Sequence, residues 1–120
     1  TKPYQLSDIN GTQIIELDIE IDGEIQRLRG EGNGPISAML DALQLPIDVV
    51  NYEERSISSG ANAKALALIE LQVKGTGKNA FGAGIHDNIV TSSIEAIIAC
   101  TNRLIEQGVL TTEQVAAAAV

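Results

Sequence analysis

The stretch Ile15-Glu16-Leu17-Asp18-Ile19-Glu20-Ile21-Asp22 alternates apolar and acidic residues without a break. Side chains of a strand point alternately to its two faces, so this two-residue period predicts a strand with one face in the core and one in water. Asp22-Gly23 follows at once, a pair suited to a two-residue hairpin loop, and a loop of that length makes facing residues add to 45. Leu17 then faces Leu28, Asp18 faces Arg27 and Glu16 faces Arg29. Opposite charges paired across two strands contribute about 0.2–1 kcal/mol each, so both faces support the same register.

Beyond this hairpin, Gly30-Glu31-Gly32-Asn33-Gly34-Pro35 leads into a helix, since Pro suits a first helical position. Ile36, Met39, Leu40 and Leu43 line one side of it, and Leu45-Pro46 stops it, which predicts a helix over Pro35 to Gln44. Extended stretches follow from Ile47 to Ser59-Gly60, from Lys64 to Lys74, and over Ala80-Phe81-Gly82-Ala83-Gly84-Ile85. Val90, Ile94, Ile97, Thr101 and Leu104 then recur at helical spacing. That helix is predicted over Asp87 to Gln107, with the Asp87 carboxylate in its first turn and Gly108 past its end. Thr111-Thr112-Glu113-Gln114 has capping-box spacing, so the Ala-rich tail forms one more short turn or frays.

The two halves repeat each other. Asn10 and Asn62, Leu17 and Ile69, Gly23 and Gly75, Gly30 and Gly82, and Gly32 and Gly84 all stand 52 apart, and the helices align at 54, Leu40 with Ile94 and Ala42 with Ala96. The predicted architecture is α+β: a strand-strand-strand-helix unit used twice, its antiparallel sheet covered on one face by two helices. This reads as a single domain over residues 1–120, with repeats of about 4–45 and 47–107 and a tail over 109–120.

Composition narrows the function. In 120 residues, 8 basic side chains face 16 acidic ones for a net charge of −8, and Tyr4, Tyr52 and Phe81 are the only aromatics. Nucleic-acid binding is driven by Lys and Arg and by aromatic stacking, and both are scarce, so no nucleic-acid partner is expected. No apolar run reaches transmembrane length, the chain opens with no signal-like segment, and Cys100 is a single thiol, so no membrane partner and a cytoplasmic location are expected.

Each candidate for chemistry has a plain structural counterpart. Gly30-x-Gly32 and Gly82-x-Gly84 end strands ahead of helices, where free backbone N–H groups suit an anion. The same glycines suit a sharp turn or close helix packing. No Gly-Lys-Ser/Thr follows them and the dinucleotide fingerprint is missing, which disfavours nucleotides. His86-Asp87 with Ser92 or Ser93 holds the residue types of a triad, but chain neighbours orient poorly and no nucleophile elbow is present. One His and one Cys on separate elements make no metal site, and Cys100 reads as an inert helix thiol. Tyr52, on a strand, either fills core or walls a small pocket.

Gly32-Asn33-Gly34-Pro35-Ile36-Ser37-Ala38, Asn51-Tyr52-Glu53-Glu54, Gly60-Ala61-Asn62-Ala63 and Gly82-Ala83-Gly84-Ile85-x-x-Asn88-Ile89-Val90-x-x-Ser93, in that order, resemble the C-terminal regulatory domain of α-isopropylmalate synthases, from about Asn10 to Leu104. The resemblance implies a domain that pairs as a homodimer and binds L-leucine near the dimer interface as feedback inhibitor of leucine synthesis. It implies no catalytic residues, metal or cofactor in this chain. The parent's catalytic barrel, with its divalent metal and acetyl-CoA condensing with α-ketoisovalerate, is absent here and is the implied partner within the parent chain. Carried over by motif, Gly32, Gly34, Pro35, Ile36 and Ser37 form the first helix entrance, Tyr52, Ser56 and Ala63 the pocket wall, and Ile85, His86 and Asp87 the second entrance. The family commonly has Asp-Tyr with a following His where this chain has Asn51, Tyr52 and Arg55, and often Ala at Ser56, which bears on effector identity. The alternatives are the isoleucine-sensing domain of a citramalate synthase and a dimerisation module with no effector.

Overall fold

A computed structural model describes residues 4–21, 23–59 and 62–117. Asp22 of the predicted turn, Gly60-Ala61 and the end of the Ala-rich tail lie outside those residues. The order is β1 (Tyr4–Ile9), β2 (Thr12–Ile21), β3 (Glu24–Gly32), α1 (Pro35–Leu43), β4 (Ile47–Ser59), β5 (Asn62–Val73), β6 (Lys78–His86), α2 (Ile89–Glu106) and α3 (Thr112–Ala116). The duplicated strand-strand-strand-helix unit is therefore present. Its antiparallel strands pair as two three-stranded sheets, β1-β2-β3 and β4-β5-β6, each followed by one helix, where one sheet under two helices was expected. The chain divides into a first unit that runs to Leu45 and takes in the segment from Thr111, and a second over Pro46–Leu110.

In the first unit the hairpin register is the expected one, with Leu17 facing Leu28, Asp18 facing Arg27 and Glu16 facing Arg29. Ile15, Leu17 and Leu28 are buried on one face while Arg27 and Arg29 stand exposed on the other. The ion pairs differ from the register. Arg27 bridges both Glu16, at 3.0 Å, and Asp18, at 3.1 Å, and Arg29 turns to Glu31 on its own strand. A guanidinium carries several donors on a long stem and so is not bound to the residue directly opposite. α1 opens on Pro35 as expected and ends at Leu43, with Gln44 in the left-handed conformation (φ 52°) and its amide donating to the Asp41 carbonyl.

The second unit follows the same plan with different spacings. Its central hairpin turns through the four residues between Val73 and Lys78 where the first uses two, so Gly30 faces Ile15 but Gly82 faces Ile69. The glycines are 52 apart and their partners 54, so Leu17 corresponds to Leu71 and not to Ile69. α2 starts at Ile89 and not at Asp87, because Asn88 is the cap: its Oδ1 accepts from the N–H groups of Val90, at 2.8 Å, and Thr91. Helices prefer such a side chain at this position because it satisfies orphan N–H donors. Gly108 takes the expected left-handed position (φ 76°).

The glycines define how each helix lies on its sheet. A Cβ on Gly30 would press into the carbonyl oxygen of Ala38 and the backbone of Ala42; one on Gly82 would press into the carbonyl oxygen of Ala96 and stand 2.7 Å from Cys100 N. Each pair of glycines thus lets a helix backbone rest directly on a strand. Ala38 corresponds by packing to Ala96 and Ala42 to Cys100, an offset of 58 in place of the 54 read from side-chain type. Four residues are one helical turn, and a shift of a turn keeps the same helix face toward the sheet, so periodicity does not detect it.

Candidate functional site

The predicted site residues fall into two groups, one in each unit. In the first, Gly32 is packing glycine: a Cβ there would stand 2.6 Å from Ala38 N and from Ser37 Cβ. Gly34 is the residue before the first turn, extended at φ −160°, with open space where a Cβ would stand. No side chain caps α1, and no acidic residue sits in its first turn. Its first internal bond is Ala38 N–H to the Gly34 carbonyl at 3.0 Å, and Pro35 has no N–H, so the amides of Ile36 and Ser37 are the donors facing outward at this entrance.

The entrance to α2 is closed by comparison. Asn88 caps it, His86 Nδ1 accepts from Asn88 N–H at 3.1 Å, and Ser92 donates to the carbonyls of Asn88 and Ala65. The Asp87 carboxylate is exposed and engaged by Lys64 Nζ at 2.9 Å, and that hydrogen bond holds its carboxyl below the usual Asp range. The two helix entrances, alike in sequence, therefore differ in chemistry: one offers backbone donors and the other has filled them.

Tyr52 is the organised group of the second unit. It faces Ile69 across the β4–β5 pair, on the sheet face that α2 covers. Its hydroxyl is 2.6 Å from Ser93 Oγ and donates to Glu54 Oε1 at 2.6 Å. Ser93 is buried and its hydroxyl also reaches the Ile89 carbonyl at 2.9 Å. Burial first, and the neighbouring Glu54 carboxylate next, push the Tyr52 phenol above its ordinary 10. The result is a half-buried hydroxyl and an exposed carboxylate side by side, a hydrogen-bonding pair able to meet a cation.

The remaining predicted residues lie around this group without joining it. Ser56, exposed, faces Ala65, and Ala63, exposed, faces Ser58. Ile85 alternates to the opposite face of the sheet from Tyr52, where it faces Leu66 and is 56% exposed. Sequence reading missed Glu54 and Ser93 as partners of Tyr52. Glu54 carried a signal, since Tyr52 and Glu54 are two apart on one strand and share a face. Ser93 lies 41 residues away, and no local pattern links it to Tyr52.

Cys100 is fully buried with its Sγ 3.1 Å from the Ala80 carbonyl, and burial pushes its thiol up. No three His, Cys, Asp or Glu side chains among the described residues come together to hold a metal ion. No helix among them is long and apolar enough to cross a membrane.

The family model described as LeuA allosteric (dimerisation) domain matches residues 3–105. Among curated relatives, the chain is 41% identical over 102 residues to the 2-isopropylmalate synthase of Cupriavidus taiwanensis, an alignment covering 85% of this chain and 18% of that protein. It is 44% identical over 104 residues to that of an Azoarcus species, covering 87% and 18%, and 39% identical over 108 residues to that of Agrobacterium fabrum, covering 87% and 19%. The chain thus spans less than a fifth of the length of these relatives.

Proposed function

Because the chain belongs to the LeuA allosteric (dimerisation) domain family, we propose that it is the dimeric regulatory part of a 2-isopropylmalate synthase and binds L-leucine as feedback inhibitor. The family match to relatives of that name carries the reading. On it, the chain itself is non-catalytic and cofactor-free, acts inside the cell's cytoplasm, and biases a separate barrel that condenses acetyl-CoA with α-ketoisovalerate on a divalent metal.

Two features support an amino-acid effector, each within its own unit. An amino acid needs an acceptor for its ammonium, and the Glu54 carboxylate beside the Tyr52 hydroxyl is one. It needs N–H donors for its carboxylate, and the uncapped amides of Ile36 and Ser37 are such donors at the positive end of a helix. Leucine acts on the parent to the extent that it binds one conformation better than another, a coupling of about 1–3 kcal/mol in typical allosteric proteins.

Calorimetric titration of the folded chain with L-leucine, L-isoleucine and L-valine tests the reading, with Tyr52→Ala as control. Saturable leucine binding that Tyr52→Ala weakens is expected. Preference for isoleucine moves the parent to citramalate synthesis, and absence of heat with all three leaves a dimerisation module without an effector.

A further inference from the structure

The two sheets differ sharply on the faces that their helices leave uncovered. On the first, β2 and β3 present Glu16, Asp18, Glu20, Arg27, Arg29 and Glu31, tied by ion pairs through Arg27 and Arg29, with Ile14 and the exposed Ile25 toward the two ends. On the second, the uncovered face carries Leu66 and Leu68 on β5 and Phe81, Ala83 and Ile85 on β6, with Leu66 facing Ile85, Leu68 facing Ala83 and Glu70 facing Phe81. Phe81 is 63% exposed and Ile85 56%. A strand that is apolar on both faces is expected to be covered on both. β6 is such a strand, since α2 lies on its Gly82 and Gly84 and nothing polar stands on its other side between Phe81 and Ile85.

Paired polar groups surround the apolar patch. Asn79 donates to Glu70 at 2.8 Å at one end, Lys64 pairs with Asp87 at 2.9 Å at the other, and Arg55 pairs with Glu53 at 3.0 Å along β4. An apolar centre inside a polar rim is the anatomy of a protein interface, and contiguous exposed apolar surface of this kind marks one. A two-fold axis through Ala83 sets Phe81 of one copy over Ile85 of the other and Ala83 over Ala83, so every side chain of the row meets an apolar one across the interface.

We propose that the occupant of this face is a second copy of the chain, so that Leu66, Leu68, Phe81, Ala83 and Ile85 form the centre of an isologous dimer interface. This rests on the dimerisation reading above and adds the surface to it. The test is sedimentation equilibrium of the chain with and without the double substitution Phe81→Asp and Ile85→Asp, with circular dichroism to show both are folded. Ile25→Asp, at a 75% exposed position on the first sheet's hairpin, is the control. The wild-type chain and the Ile25→Asp control are expected at twice the 12.7 kDa chain mass, and the double variant at 12.7 kDa.

A folded double variant that stays dimeric overturns the assignment of the face and leaves the dimer reading standing. A wild-type chain that stays at single-chain mass overturns the dimer reading itself and this proposal with it. Should the double variant fail to fold, Ala83→Cys decides alone. Ala83 is exposed and Cys100 is buried, so oxidation is expected to give a linked dimer on a non-reducing gel. Failure of a dimeric Ala83→Cys chain to cross-link overturns the assignment.

Discussion

Substituting Gly82 by Ala adds one methyl group where α2 rests on β6. The new Cβ would press into the Ala96 carbonyl oxygen and stand 2.7 Å from Cys100 N and 2.8 Å from Cys100 Cβ, against an ordinary contact of at least 3.4 Å. All three obstructing atoms belong to backbone or are a Cβ, so no flexible side chain can swing aside. Restoring ordinary contact with Cys100 N alone lifts the helix by about 0.7 Å, the closer Ala96 carbonyl requires more, and a gap of 0.5–1 Å forfeits about a quarter to a half of each dispersion contact along the interface. Those contacts belong to Ile94, Ala96, Ile97 and Cys100 on the helix and Ala67, Ile69 and Leu71 on the sheet, all buried. Overpacking of this kind costs about 1–3 kcal/mol, and the rigid neighbours place this site near the upper end, about 3 kcal/mol. At about 4 °C per kcal/mol for a domain between the small and large size classes, the melting temperature is expected to fall by about 12 °C. The assay is thermal unfolding followed by far-UV circular dichroism, beside Gly34→Ala, which meets nothing within 4 Å and sits in extended backbone. A Gly82→Ala chain that melts with the wild type, or no lower than Gly34→Ala, refutes the claim that backbone-on-strand contact sets the helix position.

Three further outcomes are expected. Tyr52→Phe removes the hydroxyl shared by Ser93 and Glu54, an expected loss of about 0.5–1.5 kcal/mol in denaturant unfolding at pH 7. With a folded-state pKa above 10, the neutral phenol favours the native state, so that stability is present below pH 10 and is lost as pH rises through the folded value. The wild-type-minus-Tyr52→Phe ultraviolet titration is expected to show a phenol ionising above the ordinary 10. Asn88→Ala leaves the amides of Val90 and Thr91 without their cap and is expected to cost about 1 kcal/mol by denaturant unfolding, whereas the uncapped α1 has no such side chain to lose. Lys64→Met is expected to raise the Asp87 carboxyl pKa toward its ordinary value in an NMR titration. The sign follows from the pair: a lowered carboxyl pKa contributes native stability above the unfolded value and loses it as pH falls through the folded one.

The site was legible in the sequence only in part. Gly34-Pro35 announced a helix entrance, and Asn88, quoted in the family pattern, turned out to distinguish the two entrances by capping one of them. The reading that gave both entrances equal standing missed this, because capping depends on which single side chain reaches back, and Asp87 and Asn88 are equally plausible by type. Asp87 is instead drawn to Lys64, 23 residues away.

The local statistics of the chain determined its strands, its hairpin register and its helices. Alternation from Ile15 to Ile21 fixes which face is wet, a two-residue loop then leaves one register, and Pro35, Gly108 and the Thr111–Gln114 box bound helices, all through interactions spanning a few residues. Tertiary structure alone decided the rest: that Arg27 takes both acids, that α2 sits one turn further along its strand than α1, that Ile85 and Tyr52 lie on opposite faces, and that Tyr52 meets Ser93. Helical and strand periods repeat, so a shift by one turn or by two strand residues preserves every local preference. Only the close contact of glycine-cleared strand with helix backbone selects among those equivalent arrangements.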